Sequence, residues 1–516
     1  MIITFVLATF PNRAAAAAET WEALLTESKS YFAAEKYDKA LTSGKKALTS
    51  AEKLYGPDHP NTADSLFNLA EIYRELGNYH NSESSFSGAL GIRERILGPE
   101  HSRVAECYYG LAELMMSRGE YQLAENYGAR ALAIFQKTDG PESVASGKVN
   151  ILFAEISQGR HEYREAESFG NKALEIFEKT VGPGSLQTGK ALLLLASVRI
   201  KSGNYSEAAS LLQRADEIYL KTYGKKRLEN GKLFYHQAEL LRLGGEPKKA
   251  QGLYKKALKY FKKRSEINPE RGRTLIALAA CHKSDFKYKK AFQLHAEGLS
   301  ILEHSLGTGS VILEEPILEM SELSLLNLDY ERAGVEAFRL FQLRAAIYGA
   351  KDLRVARALN RLAEINLKMN KLHAVESFCS QALENAASAG SSGEPEQAAS
   401  LLLRAKLRTR QGDYPSAQSD LERASAIIDR YPDQEPALAL ELAAAKASFN
   451  LAQGNYLAAE PFFEKAIAAA EQIYGSIHPR VAELLGEMSV LYRETGRVKE
   501  AEAAKKRAAK IYSKLT

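Results

Sequence analysis

Residues 54–79 read LYGPDHPNTADSLFNLAEIYRELGNY: a Gly-Pro junction, a run of helix-forming residues and a Gly-x-Tyr turn. The tyrosine that ends this stretch recurs along the chain every 42 residues, with a single step of 41. The twelve positions of this row are Tyr37, Tyr79, Tyr121, Tyr163, Tyr205, Pro247, Tyr288, Tyr330, Leu372, Tyr414, Tyr456 and Val498. A fixed period of this size over nearly the whole chain indicates an array of stacked structural repeats.

Small residues recur in the same phase as the tyrosines. One row of mostly alanines lies three residues after each tyrosine position and runs from Ala40 to Ala501. A second row runs from Ala47 to Ala508, and a third lies nine residues before the tyrosine position, as at Ala70. Small side chains at fixed positions let two helices approach closely. The pattern therefore predicts closely packed helices in every repeat.

Small residues, glycine and tyrosine at these positions resemble the tetratricopeptide repeat, whose unit is a pair of antiparallel helices. The junctions at 54–60 (LYGPDHP) and 473–479 (IYGSIHP) are similar to those of the longer kinesin light chain type of repeat. The resemblance covers about residues 20–516. It implies an all-α fold, a right-handed α-α superhelix of about twelve helix-turn-helix repeats, so we expect one continuous array over residues 19–516.

The first residues resemble a secretory signal. Within residues 1–18, an apolar run at 2–10 is followed by alanines at 14–18, which offer Ala-x-Ala cleavage sites. The run is too short to span a bilayer. No Lys or Arg precedes it, however, and Arg13 lies in the cleavage region. We expect export to a bacterial periplasm or cell envelope, with a retained hydrophobic segment or a cytoplasmic location as the alternatives.

Motifs for catalysis, cofactors and metals are weak. Residues 184–191 nearly form a phosphate-binding loop but lack its final hydroxyl, and the same Gly-Lys or Gly-Arg pair recurs at one repeat position. The junction histidines His59, His101 and His478 stand in different repeats, too far apart to share a metal. We therefore expect no catalytic, cofactor-binding or metal-binding residue, and no enzyme.

The resemblance places the first helix of each repeat along a concave groove. One repeat position there carries acids, a second carries Lys or Arg seven residues earlier, and a third carries apolar or aromatic residues. Charges seven apart on one helix face predict a ladder of ion pairs, which serves either partner binding or repeat register. The groove candidates are Phe67, Asn68, Glu71, Arg74, Tyr109, Glu113, Lys148, Lys190, Lys232, Tyr235, Arg242 and Arg273.

Asn68 matches the asparagine with which kinesin light chain-like repeats clamp a peptide backbone. Its equivalents in the following repeats are not asparagine, as at Gly110 and Leu152. The resemblance therefore implies at most an interrupted asparagine clamp.

Positive charge is concentrated between Lys221 and Lys290, where 20 Lys and Arg stand against 6 Asp and Glu. That is a net charge of +14 in a chain whose total is +5. The resemblance implies an outward-facing second helix here, hence a convex basic patch or simply a solvated face. The patch residues are Lys248, Lys249, Lys255, Lys256, Lys259, Lys262, Lys263 and Arg264.

The favoured hypothesis is a noncatalytic scaffold that binds a peptide or protein partner in the concave groove. The alternative is an accessory subunit that uses residues 221–290 to dock an acidic partner or, peripherally, an anionic membrane surface. An enzyme site crossing several repeats and a self-assembling rod are less favoured. No small-molecule substrate is expected, and no nucleic acid, because base-reading motifs and stacking aromatics are missing. Oligomeric state stays open.

Overall fold

The computed structural model describes residues 13–222, 224, 229–264, 268–430 and 436–515. Within this part of the chain every regular element is a helix. The first twelve residues of the expected signal segment lie outside the described residues, and α1 begins at Arg13. No helix of the described part is both long and apolar enough to cross a bilayer.

The helices form twelve hairpins, one per repeat. Repeats 1–4 are α1 Arg13–Ala33 and α2 Tyr37–Tyr55, α3 Pro60–Glu75 and α4 Tyr79–Leu97, α5 Ser102–Arg118 and α6 Tyr121–Thr138, α7 Val144–Gly159 and α8 Tyr163–Thr180. Repeats 5–8 are α9 Leu186–Lys201 and α10 Tyr205–Asp216, α11 Glu229–Leu243 and α12 Pro247–Arg264, α13 Pro269–Ser284 and α14 Tyr288–Leu306, α15 Glu314–Leu326 and α16 Tyr330–Tyr348. Repeats 9–12 are α17 Leu353–Lys368 and α18 Leu372–Ser388, α19 Glu394–Gln411 and α20 Tyr414–Ile428, α21 Pro436–Ala452 and α22 Tyr456–Tyr474, α23 Pro479–Glu494 and α24 Val498–Leu515.

The second helix of each repeat begins at a residue of the tyrosine row, which confirms the all-α class and the repeat phase. The turn before it needs a left-handed residue. Gly119, with φ +80°, is the C-terminal cap of α5 in that conformation, which glycine adopts without steric strain because it has no Cβ. His161 and Asn370 adopt the same conformation in repeats that lack the glycine.

Alanines of the three small-residue rows lie in the helix contacts. Ala40, Ala47 and Ala70 are fully buried. First helices of successive repeats also contact one another, as α5, α7, α9 and α11 do in sequence. Within the N-terminal unit the first helices from α1 to α11 therefore form one layer, whose face carries most of the predicted groove residues.

Contacts divide the chain into two compact units. The N-terminal unit comprises residues 1–281 and 297–312, and the C-terminal unit comprises residues 282–296 and 313–516. Each unit closes on itself over a long stretch of sequence. In the N-terminal unit Ser310 Oγ donates to the Arg118 carbonyl at 2.8 Å, 192 residues away. In the C-terminal unit Tyr288 and Leu515 belong to one buried cluster.

Candidate functional site

Glu113 of α5 is held by two predicted groove residues of the N-terminal unit. The Arg74 guanidinium at the end of α3 forms an ion pair with it, and the Tyr109 hydroxyl donates to it at 2.8 Å. All three side chains are half-buried. Burial and the neighbouring carboxylate raise the pKa of Tyr109 well above its usual value, so the hydroxyl stays a donor. The trio thus joins α3 to α5.

Glu239 of α11 is the centre of a second cluster. Arg242 donates hydrogen bonds to the Glu239 carboxylate from Nε at 3.0 Å and from Nη2 at 2.9 Å. The buried Tyr254 hydroxyl of α12 also donates to it. Burial by itself raises the pKa of Glu239, but hydrogen bonds and charge from Arg242 outweigh it and lower the pKa. Because Arg242 is bound to a buried carboxylate, it serves the packing of repeat 6 and is not a free groove cation.

Lys148, Lys190 and Lys232 occupy one repeat position on α7, α9 and α11. All three side chains are exposed, and none has a carboxylate partner within ion-pair distance among the described residues. The ladder predicted on single helices is therefore not built from direct pairs.

These lysines instead act across repeats. Lys148 offsets the effect of burial on Glu71, and Lys232 does the same for Glu155. Burial still raises the pKa of Glu71, and it raises the pKa of Glu155 to about 7. Burial also lowers the pKa of Lys190. The lysines and acids thus share one enclosed face of the first helices, which we call the inner surface.

The side chains of Phe67 and Asn68 are engaged in packing contacts and are not available on the inner surface. The Phe67 ring packs edge-on against Phe86, with ring centroids 5.5 Å apart, and the Arg93 guanidinium lies over the Phe67 ring, 4.5 Å from its centroid. Asn68 is only 3% exposed, and its amide donates to Ser28 Oγ at 2.8 Å. The prediction of Asn68 as a backbone clamp is therefore wrong, because its amide joins repeat 2 to repeat 1.

Tyr235 and Arg273 lie on the same inner surface. Tyr235 is half-buried, and its ring is tilted against that of Tyr254 at 5.9 Å. Arg273 pairs with Glu270 at 3.3 Å, and Tyr235, Tyr79 and Tyr121 contribute to its electrostatic surroundings. Repeat 7 thus comes near repeats 2 and 3, which encloses the inner surface.

In the C-terminal unit several cations on the first helices are paired with carboxylates. Lys283 and Arg361 both bind Glu322 at 3.0 Å. Lys368 and Glu483, 115 residues apart, meet at 2.6 Å. Arg480 binds Glu441 with two nitrogens at 2.9 Å, and with Lys406 it lowers the pKa of that half-buried carboxyl. Unlike these paired cations, the three exposed lysines of the N-terminal unit have no carboxylate partner among the described residues.

The basic patch is on the surface. Its side chains that the structure describes are all exposed along α12, namely those of Lys248, Lys249, Lys255, Lys256, Lys259 and Lys262. The side chains of Lys263 and Arg264 lie outside the described residues. Lys249 pairs with Glu246, and Lys256 Nζ lies over the Phe234 ring at 5.5 Å.

The junction histidines have a local role that the repeat pattern did not reveal. Nδ1 of His59, His101 and His478 each accepts the backbone N–H two residues on, at 3.1 Å, and so caps the following helix. Burial lowers the pKa of His478 to about 4, so its ring stays neutral and able to accept. The described residues contain no group of three His, Cys, Asp or Glu placed to hold a metal.

Comparison with protein families agrees with the fold. The family model described as tetratricopeptide repeat matches residues 23–80, 65–137, 147–221, 191–263 and 438–514, more than half of the chain. The protein Kinesin Light Chain-Related 2 of Arabidopsis thaliana is 25% identical over 289 residues, 54% of this chain and 43% of that protein. Kinesin Light Chain-Related 1 of the same plant is 25% identical over 166 residues, 32% of this chain and 27% of that protein. The chain therefore spans less than half the length of these relatives.

Solved structures give more distant matches. A Rap protein complexed with competence and sporulation factor has a TM-score of 0.48 and 14% identity, over 71% of this chain and 98% of that one. A putative kinesin light chain of Podosopora anserina with nearly identical TPR-like repeats has a TM-score of 0.33 and 20% identity, over 42% of this chain and 100% of that one.

Proposed function

We propose that this chain, which belongs to the tetratricopeptide repeat family, is a noncatalytic scaffold that holds an extended acidic segment of a partner protein against the inner surface of its N-terminal unit. The family is in general a non-catalytic protein-interaction fold. The repeats of this chain are similar to those of kinesin light chain-related proteins. The acidic character of the partner's segment is inferred from the positive charge on the inner surface.

The observation that carries the proposal is the set of three lysines that have no carboxylate partner in the described part of the chain. Lys148, Lys190 and Lys232 stand on successive first helices with exposed side chains. Desolvation by the surrounding protein on the inner surface lowers the pKa of Lys190. Like charges held on one enclosed surface repel each other, and a ligand carboxylate relieves that repulsion. A polar inner surface with cations in register thus favours an anionic occupant.

Spacing favours an extended peptide. Neighbouring packed helices lie about 8–10 Å apart, and an extended chain advances about 3.3 Å per residue. An Asp or Glu at every third residue therefore matches lysines on successive repeats. Tyr109 and Tyr235, both half-buried beside these charges, offer ring faces to the side chains between them.

The test uses fluorescent twelve-residue peptides with Glu at every third position and alanine or serine between. We expect the full chain to bind them with an affinity that falls as salt rises. The variant Lys148→Glu/Lys190→Glu/Lys232→Glu should bind at least tenfold more weakly, because three attractive contacts become repulsive.

The matched control is Lys29→Glu/Lys46→Glu/Lys53→Glu, which reverses three exposed lysines of repeat 1. It should bind the peptide within about twofold of the unchanged chain. Equal losses in both variants, or a peptide with clustered glutamates binding as well as the spaced one, would contradict the proposal. Turnover in hydrolase assays that one inner-surface substitution abolishes would contradict the noncatalytic role.

We also propose that the N-terminal segment directs export, supported by its apolar run and the alanines after it. N-terminal sequencing of the protein recovered from cells tests this. A new terminus close to residue 19 is expected, whereas an uncleaved chain in the cytosolic fraction would contradict export.

A further inference from the structure

Ion pairs neutralise cations in or just after many of the second helices. In each case an Arg or Lys contacts a carboxylate 36 or 37 residues earlier in the chain. The pairs are Arg95–Asp58, Lys137–Glu100, Lys179–Glu142, Arg214–Glu178, Arg430–Glu394 and Arg507–Glu471. At these six positions the repeat geometry places an acid beside the cation.

Helix α12 departs from this pattern. Arg214 of α10 pairs with Glu178, but the equivalent of that acid for Lys256 of α12 is Leu220. Among the lysines of α12 whose side chains are described, only Lys249 has an ion pair, with Glu246. The other exposed lysines have no carboxylate partner among the described residues, and they are Lys248, Lys255, Lys256, Lys259 and Lys262. The sequence thus has no acid at the equivalent position to neutralise Lys256, and most of the positive charge of this helix stays unpaired among the described residues.

The lysines form a broad face. At 3.6 residues per turn, the six exposed lysines span an arc of about 140° around α12. Gly252 lies near the middle of the arc, exposed and with nothing within 4 Å of a Cβ placed there. No large apolar side chain of α12 is exposed in the part of the helix that is described. The face is therefore cationic, wide and without an apolar anchor.

We propose that this lysine face of α12 docks a flexible acidic segment of a second protein, at a site separate from the inner surface. A planar bilayer touches only the outermost strip of a 140° arc, and peripheral membrane binding normally adds an inserted apolar group that is lacking here. A flexible run of Asp and Glu follows the arc and reaches every lysine. Charge complementarity over the whole face thus favours the acidic protein segment.

The experiment locates the contact as well as its strength. The probe is a twenty-residue peptide of alternating Glu and Gly with a photoreactive group at its centre, cross-linked to the full chain and mapped by mass spectrometry. We expect cross-links in residues 247–262. In the variant Lys248→Glu/Lys255→Glu/Lys259→Glu/Lys262→Glu the yield of these cross-links should fall at least tenfold. In the inner-surface variant Lys148→Glu/Lys190→Glu/Lys232→Glu the yield should be retained.

The matched control reverses four exposed lysines of α24 in the variant Lys499→Glu/Lys505→Glu/Lys506→Glu/Lys510→Glu. Far-UV circular dichroism verifies that each variant is folded. Cross-links confined to the inner surface, or an equal loss in the α24 variant, would overturn the proposal. The proposal would also be overturned if phosphatidylserine vesicles or duplex DNA protected α12 from cross-linking at concentrations at which the free peptide gives no protection. Either result would assign the face to a membrane or to a nucleic acid.

Discussion

At the scale of single residues, a missing Cβ sets the distance between neighbouring helices. A Cβ at Gly110 of α5 would lie 2.5 Å from the Phe86 ring, which is fully buried between repeats 2 and 3. The ring has no room to move away, since Phe67 packs against it at 5.5 Å. Gly110 is therefore a packing residue of the α3–α4–α5 contact.

Gly110→Ala should lower the free energy of unfolding by about 1–3 kcal/mol, because overpacking a filled core forces neighbours out of place. Urea denaturation followed by circular dichroism measures the change. Gly252→Ala is the matched control: it is also a helical glycine, but its Cβ meets nothing, so it should be neutral or stabilise by up to about 1 kcal/mol. Similar effects at both sites would refute the packing argument.

Glu155→Gln should reveal a carboxylate that opposes folding. Burial raises the pKa of Glu155 from 4.5 to about 7. A raised folded-state pKa means that the stabilising protonated form is fully present below pH 4.5 and is lost as pH rises to about 7. The variant should therefore match the unchanged chain at pH 4.5 and exceed its unfolding free energy by about 1–3 kcal/mol at pH 8.

Denaturation midpoints at both pH values test this expectation. Glu502→Gln, at an exposed acid of α24, controls for the loss of one carboxylate. A Glu155→Gln gain that is as large at pH 4.5 as at pH 8 would show that the carboxyl is not held in an unfavourable charged state.

At the scale of elements, each first helix needs an acceptor at its N-terminus, and several residue types supply it. His101 caps α5 through Nδ1, Ser143 caps α7 through Oγ, and Asp352 caps α17 through a carboxylate oxygen. Each accepts a backbone N–H that has no partner inside the helix. The junction histidine is therefore one of several equivalent caps and not a ligand or catalyst.

His101→Ala should cost about 1 kcal/mol of stability through loss of the cap, and His101→Asp should retain it, because Asp352 shows that a carboxylate fits the same position. Urea denaturation compares the two. His80→Ala, an exposed change inside α4, should have little effect. An equal loss for the alanine and aspartate variants would mean that the imidazole acts in some other way.

At the scale of the whole molecule, residues far apart in sequence close each compact unit. In the N-terminal unit, Ser310 bonds to the Arg118 carbonyl, and Val311 and Ile312 lie against Gly119, where an added Cβ would be within 3.0 Å of both. In the C-terminal unit, Lys368 and Glu483 bridge α17 and α23. Such contacts fix the curvature of each unit, since neighbouring repeats alone leave it adjustable.

Val311→Asp/Ile312→Asp should break the first closure, because two carboxylates replace apolar contacts. Hydrogen exchange of residues 115–120 should then rise severalfold, as the end of α5 loses its cover. Val181→Asp, at an exposed junction residue, is the control and should leave that segment unchanged. Unaltered exchange in the double variant would show that the closure contributes no protection.

The features that could be predicted from the amino-acid sequence are local and periodic. The twelve starts of the second helices, the alanine contacts and the all-α class follow from one repeat pattern, because each hairpin depends mainly on its own residues and its neighbours. Caps such as His101 were visible in the sequence as junction residues, although their role required the backbone geometry.

Which charged side chains remain available to a partner could be read only from the folded chain. Arg242 is bound to buried Glu239, and the Asn68 amide donates to Ser28. Lys148 has no carboxylate partner among the residues that the structure describes. All three occupy repeat positions predicted to line the groove. The division into two units and the meeting of Ser310 with Arg118 were equally absent from the pattern. The physical reason is that small rotations between repeats accumulate, so contacts between distant repeats depend on curvature that no single period encodes.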